Sequence, residues 1–541
     1  MTAPTAEPHP NAAPQPGSTR SAKLVAAGIL LSRIAGLVRE RVFAQYFGTS
    51  LHADAFKAAL RMPNALQNLL GEGTLSASFI PVYAELVEQG REEEAGRVAG
   101  AVFALLVAIA AALSLIGILL APAIVTVFSP GFSGLKRELT IAAVRIIFPM
   151  TGTLVLSAWA LGILNSHRKF FVSYVAPVLW NAAMIATLLY FGRRMTLDGL
   201  VITLAWGAFA GGLLQFAVQL PWVLSLERDL LVRWNTRLEG VRTTLRNAGP
   251  AVLGRGVVQL SGYVDIFLAS FLATGAVAAL GYAQTLYVLP ISLFGISVAA
   301  AELPELARQR AGAADVLRER VNAGLRQIAV YVVPSLIGFL VLGDVIVAAL
   351  YQTGDFGRDD TLFVYMILAG YAIGLLASTA TRLFSSAFFA LHDTRTPAKV
   401  AVLRVTVGAA AGATLMLLLR QVEVAGHPLG ALGLSIAAGG GAWLEWALLR
   451  RSLSRRLGAV GAGPAVLAKL IAAAVVAALL ARAIALVLPP AFLPEASEVR
   501  HIVIGLFVLI PFGVSYFLIA RALGVREAAI AVERVFRRVV R

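Results

Sequence analysis

Fourteen predominantly apolar runs of about 20 residues follow one another along the chain, separated by short loops, and this succession leaves few folds open. Each run can cross the hydrocarbon of a bilayer. A backbone in lipid must satisfy its own polar groups, so each run has to be helical. The runs begin near Lys23, Ala53, Val98, Leu139, Val172, Leu197, Pro250, Val277, Gln327, Thr361, Ala398 and Leu429, and a last pair covers roughly 464–489 and 499–522. A content of 58% hydrophobic and 14% charged residues, with a mean hydropathy of +0.79, lies well outside soluble globular composition. The expected fold is an all-α polytopic membrane protein of 14 transmembrane helices.

The first twelve runs form two groups of six that resemble each other at an offset of 227 residues: Gly48 matches Gly275, Pro63 matches Pro290 and Arg168 matches Arg395. FGTSLHADAF lies opposite ATGAVAALGYA, and LNSHRKF opposite LHDTRTP. An even number of spans per group makes the repeats parallel, related by an axis along the membrane normal. The expected organisation is a disordered tail (1–21), a six-helix first lobe (22–229), an amphipathic cytoplasmic linker at the membrane surface (230–248), a pseudo-symmetric six-helix second lobe (249–456), two further helices (464–523) and a basic terminal helix (524–541).

The formal charge of +16 raises the question of nucleic acid, but loop charge explains it more simply. With the amino terminus inside, about 29 Lys and Arg fall in inside loops and tails, about 7 in outside loops and about 10 within spans. Both termini are therefore expected on the cytoplasmic side, and no nucleic-acid partner is expected. The chain has no cysteine, which removes disulfides and thiol chemistry. There is no HExxH, no phosphate loop ending in Lys-Ser or Lys-Thr, and no DxD, so no enzyme, cofactor or metal is indicated.

The second run, DAFKAALRMPNALQNLLGEGTLSASFIP, carries groups that lipid rejects. Asp54, Arg61, Asn68 and Glu72 fall within about 40° of one another on a helical wheel. Each charge at mid-membrane costs roughly 2.5–3.5 kcal/mol unless it faces a polar interior or a water-filled cavity. Pro63, Gly71 and Gly73 interrupt the same helix, as in the broken helices of transporter binding sites. The first run adds Arg33 and Arg39 on either side of Gly36. Guanidinium forks suit a pyrophosphate, because they donate paired charge-assisted bonds and stay charged. A purely structural pairing of Arg39 with Glu40 or Asp54 is the competing reading. In the second group the embedded charges are Arg255, Asp265, Arg382, Arg404 and Glu445, so a net basic cavity is expected.

SRIAGLVRERVFAQYFG, ADAFKAALRMPNALQNLLGEGTLSASFIPVYAEL, YAQTLYVLPISLFGISVAAAELPEL and LYQTGDF together resemble the MurJ (MviN) family of bacterial lipid II flippases, within the multidrug/oligosaccharidyl-lipid/polysaccharide exporter superfamily. The resemblance covers roughly residues 22–522. It implies two six-helix lobes around a cavity for the pyrophosphate and sugar headgroup of undecaprenyl-linked peptidoglycan precursor, passed outward by alternating access. It also implies a groove for the lipid tail on the last two helices, and a monomer in the bacterial cytoplasmic (inner) membrane with lipid II and membrane lipids as partners. By the same resemblance the substrate-binding residues are Arg33, Arg39, Asp54, Arg61, Glu72 and Arg382. Gln67, Asn68 and Thr285 stand where the family has basic residues, and Arg255 is the candidate replacement.

Two rivals share the architecture: a flippase for another polyprenyl-linked oligosaccharide, and a drug exporter. A polytopic glycosyltransferase would need catalytic carboxylates on an outside loop, where Asp359 and Asp360 lack partners. Some members of the family resemble sodium-coupled transporters. Here the repeat offset sets Gly408 opposite Asn181, and Arg404 lies on the same run, so Arg404 is expected to pair with Asp265 or Glu445, either standing in for a coupling cation or forming an ordinary packing ion pair.

Overall fold

A computed structural model describes residues 16–539 apart from 228, 297, 299–313, 425 and 488–498. The helices are α1 (Pro16–Phe47), α2 (Leu51–Leu70), α3 (Glu72–Glu88), α4 (Glu92–Leu119), α5 (Ala121–Phe128), α6 (Gly134–Ser166), α7 (Phe170–Phe191), α8 (Leu197–Leu226), α9 (Glu239–Ala269) and α10 (Ala276–Pro290). There follow a π-helical turn (Ile291–Ile296), α11 (Ala314–Val341), α12 (Gly343–Tyr351), α13 (Arg358–Ile373), α14 (Leu375–Ala390), α15 (Arg395–Leu419), α16 (Gly430–Leu457), α17 (Pro464–Val487), α18 (Arg500–Ala522) and α19 (Arg526–Val539). Among the described residues the only strands are a two-residue pair, Glu423–Val424 against His427–Pro428.

Ten of the described helices are long and apolar enough to cross a membrane, or eleven if α13 and α14, bent by 43°, form one broken span. The other three expected runs fall on α1, α2 with α3, and α9. The expected linker is part irregular and part helical. Residues 229–238 have no regular secondary structure, and the rest of the linker is the start of α9, which runs from its charged first turns into the apolar stretch without a break. Of the expected N-terminal tail, 1–15 lie outside the described residues and α1 begins at Pro16.

The repeat is visible in local geometry. Gly48 and Gly275 both take left-handed backbone, with φ of 51° and 92°. The helices ending at Ser166 and Ala390 close alike: Lys169 N donates to Leu164 O at 2.8 Å, Asp393 N donates to Phe388 O at 2.9 Å, and the preceding Arg168 and His392 are left-handed. Pro63 lies inside α2, and Pro290 ends α10 where it passes into the π turn. The break between α2 and α3 falls at Gly71, where a Cβ would come within 2.4 Å of the Gln67 carbonyl oxygen, so the chain turns there only because the residue is glycine.

By contacts the chain forms two compact units, Met1–Val42 with Ala59–Ile124 and Ile141–Gln259, and Phe43–Ala58 with Val125–Thr140 and Leu260–Arg541. The first packs around Phe79, Tyr83, Trp159 and Ile163. The second includes a core of Val330, Val333, Ala474, Val508 and Tyr516, which joins α11 to α17 and α18.

Candidate functional site

In the first unit, α1, α2, α3, α6, α7 and α8 surround a cavity of about 670 Å³, lined by Ser32, Gly36, Arg39, Asn64, Gln67, Ser76, Ser157, Trp180, Asn181 and Gln215 among others. The volume lies in the range of small-molecule sites. Among the described residues, Arg39 is the one charged side chain in the lining. Its Nη2 donates to Glu40 at 2.7 Å, and its guanidinium lies 4.8 Å from the centre of the Trp180 ring. The structural pairing with Glu40 and the cavity position therefore hold together. The rest of the described lining is neutral, so its net charge is positive. The Asn181 amide donates to the Pro177 carbonyl at 3.0 Å, leaving its buried carbonyl oxygen without a partner among the described residues. Gln215 donates to Ser157 at 2.9 Å, and Ser157 to Gln219 at 2.8 Å.

Asp54 is in the second unit and outside this cavity. It is 1% exposed, and its two oxygens accept from Gly275 N and Ala278 N, each at 2.8 Å, and from Lys136 Nζ at 3.0 Å. Gly275 is the N-cap of α10 and has no side chain to satisfy the helix's first amides, so a carboxylate from α2 caps it instead. A Cβ at Gly275 would fall 2.2 Å from the Thr49 carbonyl oxygen. Around this contact Tyr282 donates to the Gly48 carbonyl at 3.0 Å, Asp355 N donates to the Gln45 carbonyl at 2.9 Å, and Thr49 bonds Asp360. Lys57 lies over the Tyr282 ring at 3.5 Å. The FGTSLHADAF, GYA and YQTGDF motifs thus meet in one knot, with Asp54 as its cap.

A second cavity, of about 70 Å³, is lined by Asp265, Arg404, Gly408 and Gly441, all in the second unit. Arg404 Nη1 donates to Glu445 Oε2 at 2.6 Å. Arg33 on α1 is half-buried and makes no ion pair among the described residues, Arg61 on α2 is half-buried, and Arg382 on α14 is exposed. Arg33, Arg61 and Arg382 line neither cavity. The side chains of Glu72, Asn68 and Arg255 lie outside the described residues. Of the substituted family positions, Gln67 lines the first cavity, and Thr285 turns back to the Gly281 carbonyl at 2.9 Å.

Sequence reasoning missed a buried cluster in the first unit. Tyr83 donates to Glu227 and lies 2.7 Å from His167 Nε2, tying the end of α3 to the α6–α7 turn and the end of α8. The signal available was three titratable or hydroxyl-bearing side chains at the ends of apolar runs.

The family model described as "Lipid II flippase MurJ" matches residues 43–507. The chain belongs to the MurJ family. A probable lipid II flippase MurJ of Haemophilus influenzae is 32% identical over 446 residues, 79% of this chain and 84% of that protein. The lipid II flippase MurJ of Burkholderia cenocepacia is 31% identical, over 81% of this chain and 84% of its own length. Among solved structures, a MurJ in an inward closed conformation superposes with a TM-score of 0.71 at 22% identity, covering 93% of this chain and 99% of the other. An inward-facing multidrug resistance transporter of the MATE family gives 0.65 at 16% identity, covering 80% and 98%. The two structures show the fold, and the sequence match shows the family.

Proposed function

We propose that this MurJ-family chain flips lipid II, the undecaprenyl-pyrophosphate-linked disaccharide-peptide, from the inner to the outer face of the bacterial cytoplasmic membrane by alternating access. The observation that carries the reading is the cavity of about 670 Å³ bearing Arg39, amides and hydroxyls inside helices otherwise built for lipid. A cationic drug is a poor ligand for a lining whose one charge among the described residues is positive, and a polyprenyl-linked pyrophosphate is a good one. Arg39 supplies a guanidinium fork for the pyrophosphate from the cavity wall, and Arg33 and Arg61, on the same helices α1 and α2 that help to line it, supply the others. Asp54 acts as a latch, because both its oxygens are already committed. Arg404, paired with Glu445 beside Asp265, occupies the role of a coupling cation.

The chain works as a monomer, catalyses no covalent step, and has both termini in the cytoplasm. Expression in a bacterium depleted of its own flippase, with lipid II translocation as readout, tests this. The intact chain restores translocation, whereas Arg33→Ala and Arg61→Ala insert normally but do not. Failure of the intact, correctly inserted chain to restore translocation would overturn the reading.

A further inference from the structure

Between α8 and α9 the chain crosses the surface of the first unit as an extended strap held at three points. Glu227 is fixed by Tyr83 and His167. The Asp229 carbonyl oxygen lies where a Cβ on Gly96 would come within 2.8 Å, and the Leu231 carbonyl oxygen where a Cβ on Gly100 would come within 2.2 Å. Only glycines at these two positions of α4 let the backbone lie this flat. Leu230 and Leu238 turn inward onto the core of the unit. Leu231, Val232 and Trp234 turn outward, and Trp234 is 64% exposed. The strap is ordered as it enters α9, where Asn235 Oδ1 accepts from Arg237 N at 3.0 Å. Its outward apolar residues are therefore set by backbone geometry.

The position of the strap on α4 fixes its depth. Gly96 and Gly100 lie in the first turns of α4, where EEEAGR gives way to VAGAVFALLVAIAAAL, the boundary between water and hydrocarbon. Around the exposed apolar residues stand Arg233 and Arg237 on the strap and Arg242 and Arg246 on the first turns of α9, all exposed. Leu245, on those same turns, is also exposed. An aromatic side chain at interfacial depth ringed by guanidinium groups matches an anionic leaflet, which attracts basic segments next to spans.

We infer that residues 231–246 form an interfacial anchor for anionic phospholipid, with Trp234 inserted at headgroup level and Arg233, Arg237, Arg242 and Arg246 holding lipid phosphates. The anchor is separate from the transport cavity, and it seats the connection between the sixth and seventh expected spans on the membrane surface.

The test uses the full chain in nanodiscs of phosphatidylcholine, with or without phosphatidylglycerol. Trp234 emission is obtained as the difference between the wild type and Trp234→Phe. Lipids brominated near the glycerol end of their acyl chains should quench this component, while soluble acrylamide should not. In native mass spectrometry, replacing the four arginines by glutamine should reduce phosphatidylglycerol preference by about fivefold for each charge removed near the surface. All five positions are exposed, so the substitutions remove no buried side chain, and the circular dichroism spectrum of each variant should match the wild type. Quenching of Trp234 by acrylamide and not by brominated lipid would overturn the inference and direct the surface to a protein partner. Unchanged phosphatidylglycerol retention in the arginine variant would overturn it as well.

Discussion

Asp54→Ala removes three hydrogen bonds in a site that is 1% exposed, and it leaves both Lys136 and the amide end of α10 without their anion. Stripping one partner from a buried charged pair costs about 3–5 kcal/mol, because the remaining charge is uncompensated. Lys136→Ala removes a single charge-assisted bond, which contributes about 1.5–3 kcal/mol, and the carboxylate keeps Gly275 N, Ala278 N and the field of the helix end. The ordering Asp54→Ala worse than Lys136→Ala follows from the geometry. The double variant should cost little more than Asp54→Ala alone, since the pair is one unit. Chemical denaturation of the purified protein in detergent, followed by near-UV circular dichroism, gives the three losses. Equal losses for the two single variants, or fully additive losses in the double variant, would refute the account of Asp54 as the cap of α10.

If Arg404 stands in for a cation, lipid II transport in proteoliposomes is indifferent to a sodium gradient, and Arg404→Ala both lowers the rate and makes it respond to sodium. Strong sodium dependence of the wild type would reject this. Asp393 accepts from the Thr396 hydroxyl and amide and from Arg456, and these bonds hold its carboxyl at about 2, below the ordinary 3.8. Its contribution is therefore full above about pH 4 and lost as the pH falls toward 2. The melting difference between wild type and Asp393→Ala should be constant from neutral pH to pH 4 and should vanish near pH 2, and a difference that persists there would contradict it. In the absence of native cysteine, Arg358→Cys should react with an impermeant maleimide from outside, and Lys169→Cys and Arg395→Cys should not. The reverse pattern would invert the topology.

The helical architecture was legible because apolar runs of bilayer length admit one backbone solution, and the repeat because Gly48 and Gly275 share a left-handed requirement. The Arg404–Glu445 pair was legible for a related reason, since an arginine among apolar residues needs an anion within reach. Asp54 was harder. The helical wheel groups it with Arg61, but its partners are amides of a glycine-capped helix 221 and 224 residues away, which no local periodicity encodes. The amphipathic composition of the linker was legible, but not that residues 229–235 would lie without helix along α4, where Gly96 and Gly100 leave room for the Asp229 and Leu231 carbonyls. Asn181, Gln215 and Ser157 each occur singly in apolar runs, so their convergence on one cavity emerged only with the packing of α6, α7 and α8.

The most direct test is the rate at which fluorescent lipid II crosses the bilayer of proteoliposomes containing the purified chain, measured by its accessibility to an external modifying reagent. The account predicts transfer well above protein-free vesicles, lost in Arg33→Ala and Arg61→Ala and retained in Trp234→Phe. Transfer at the protein-free rate, with the chain folded and inserted, would contradict it.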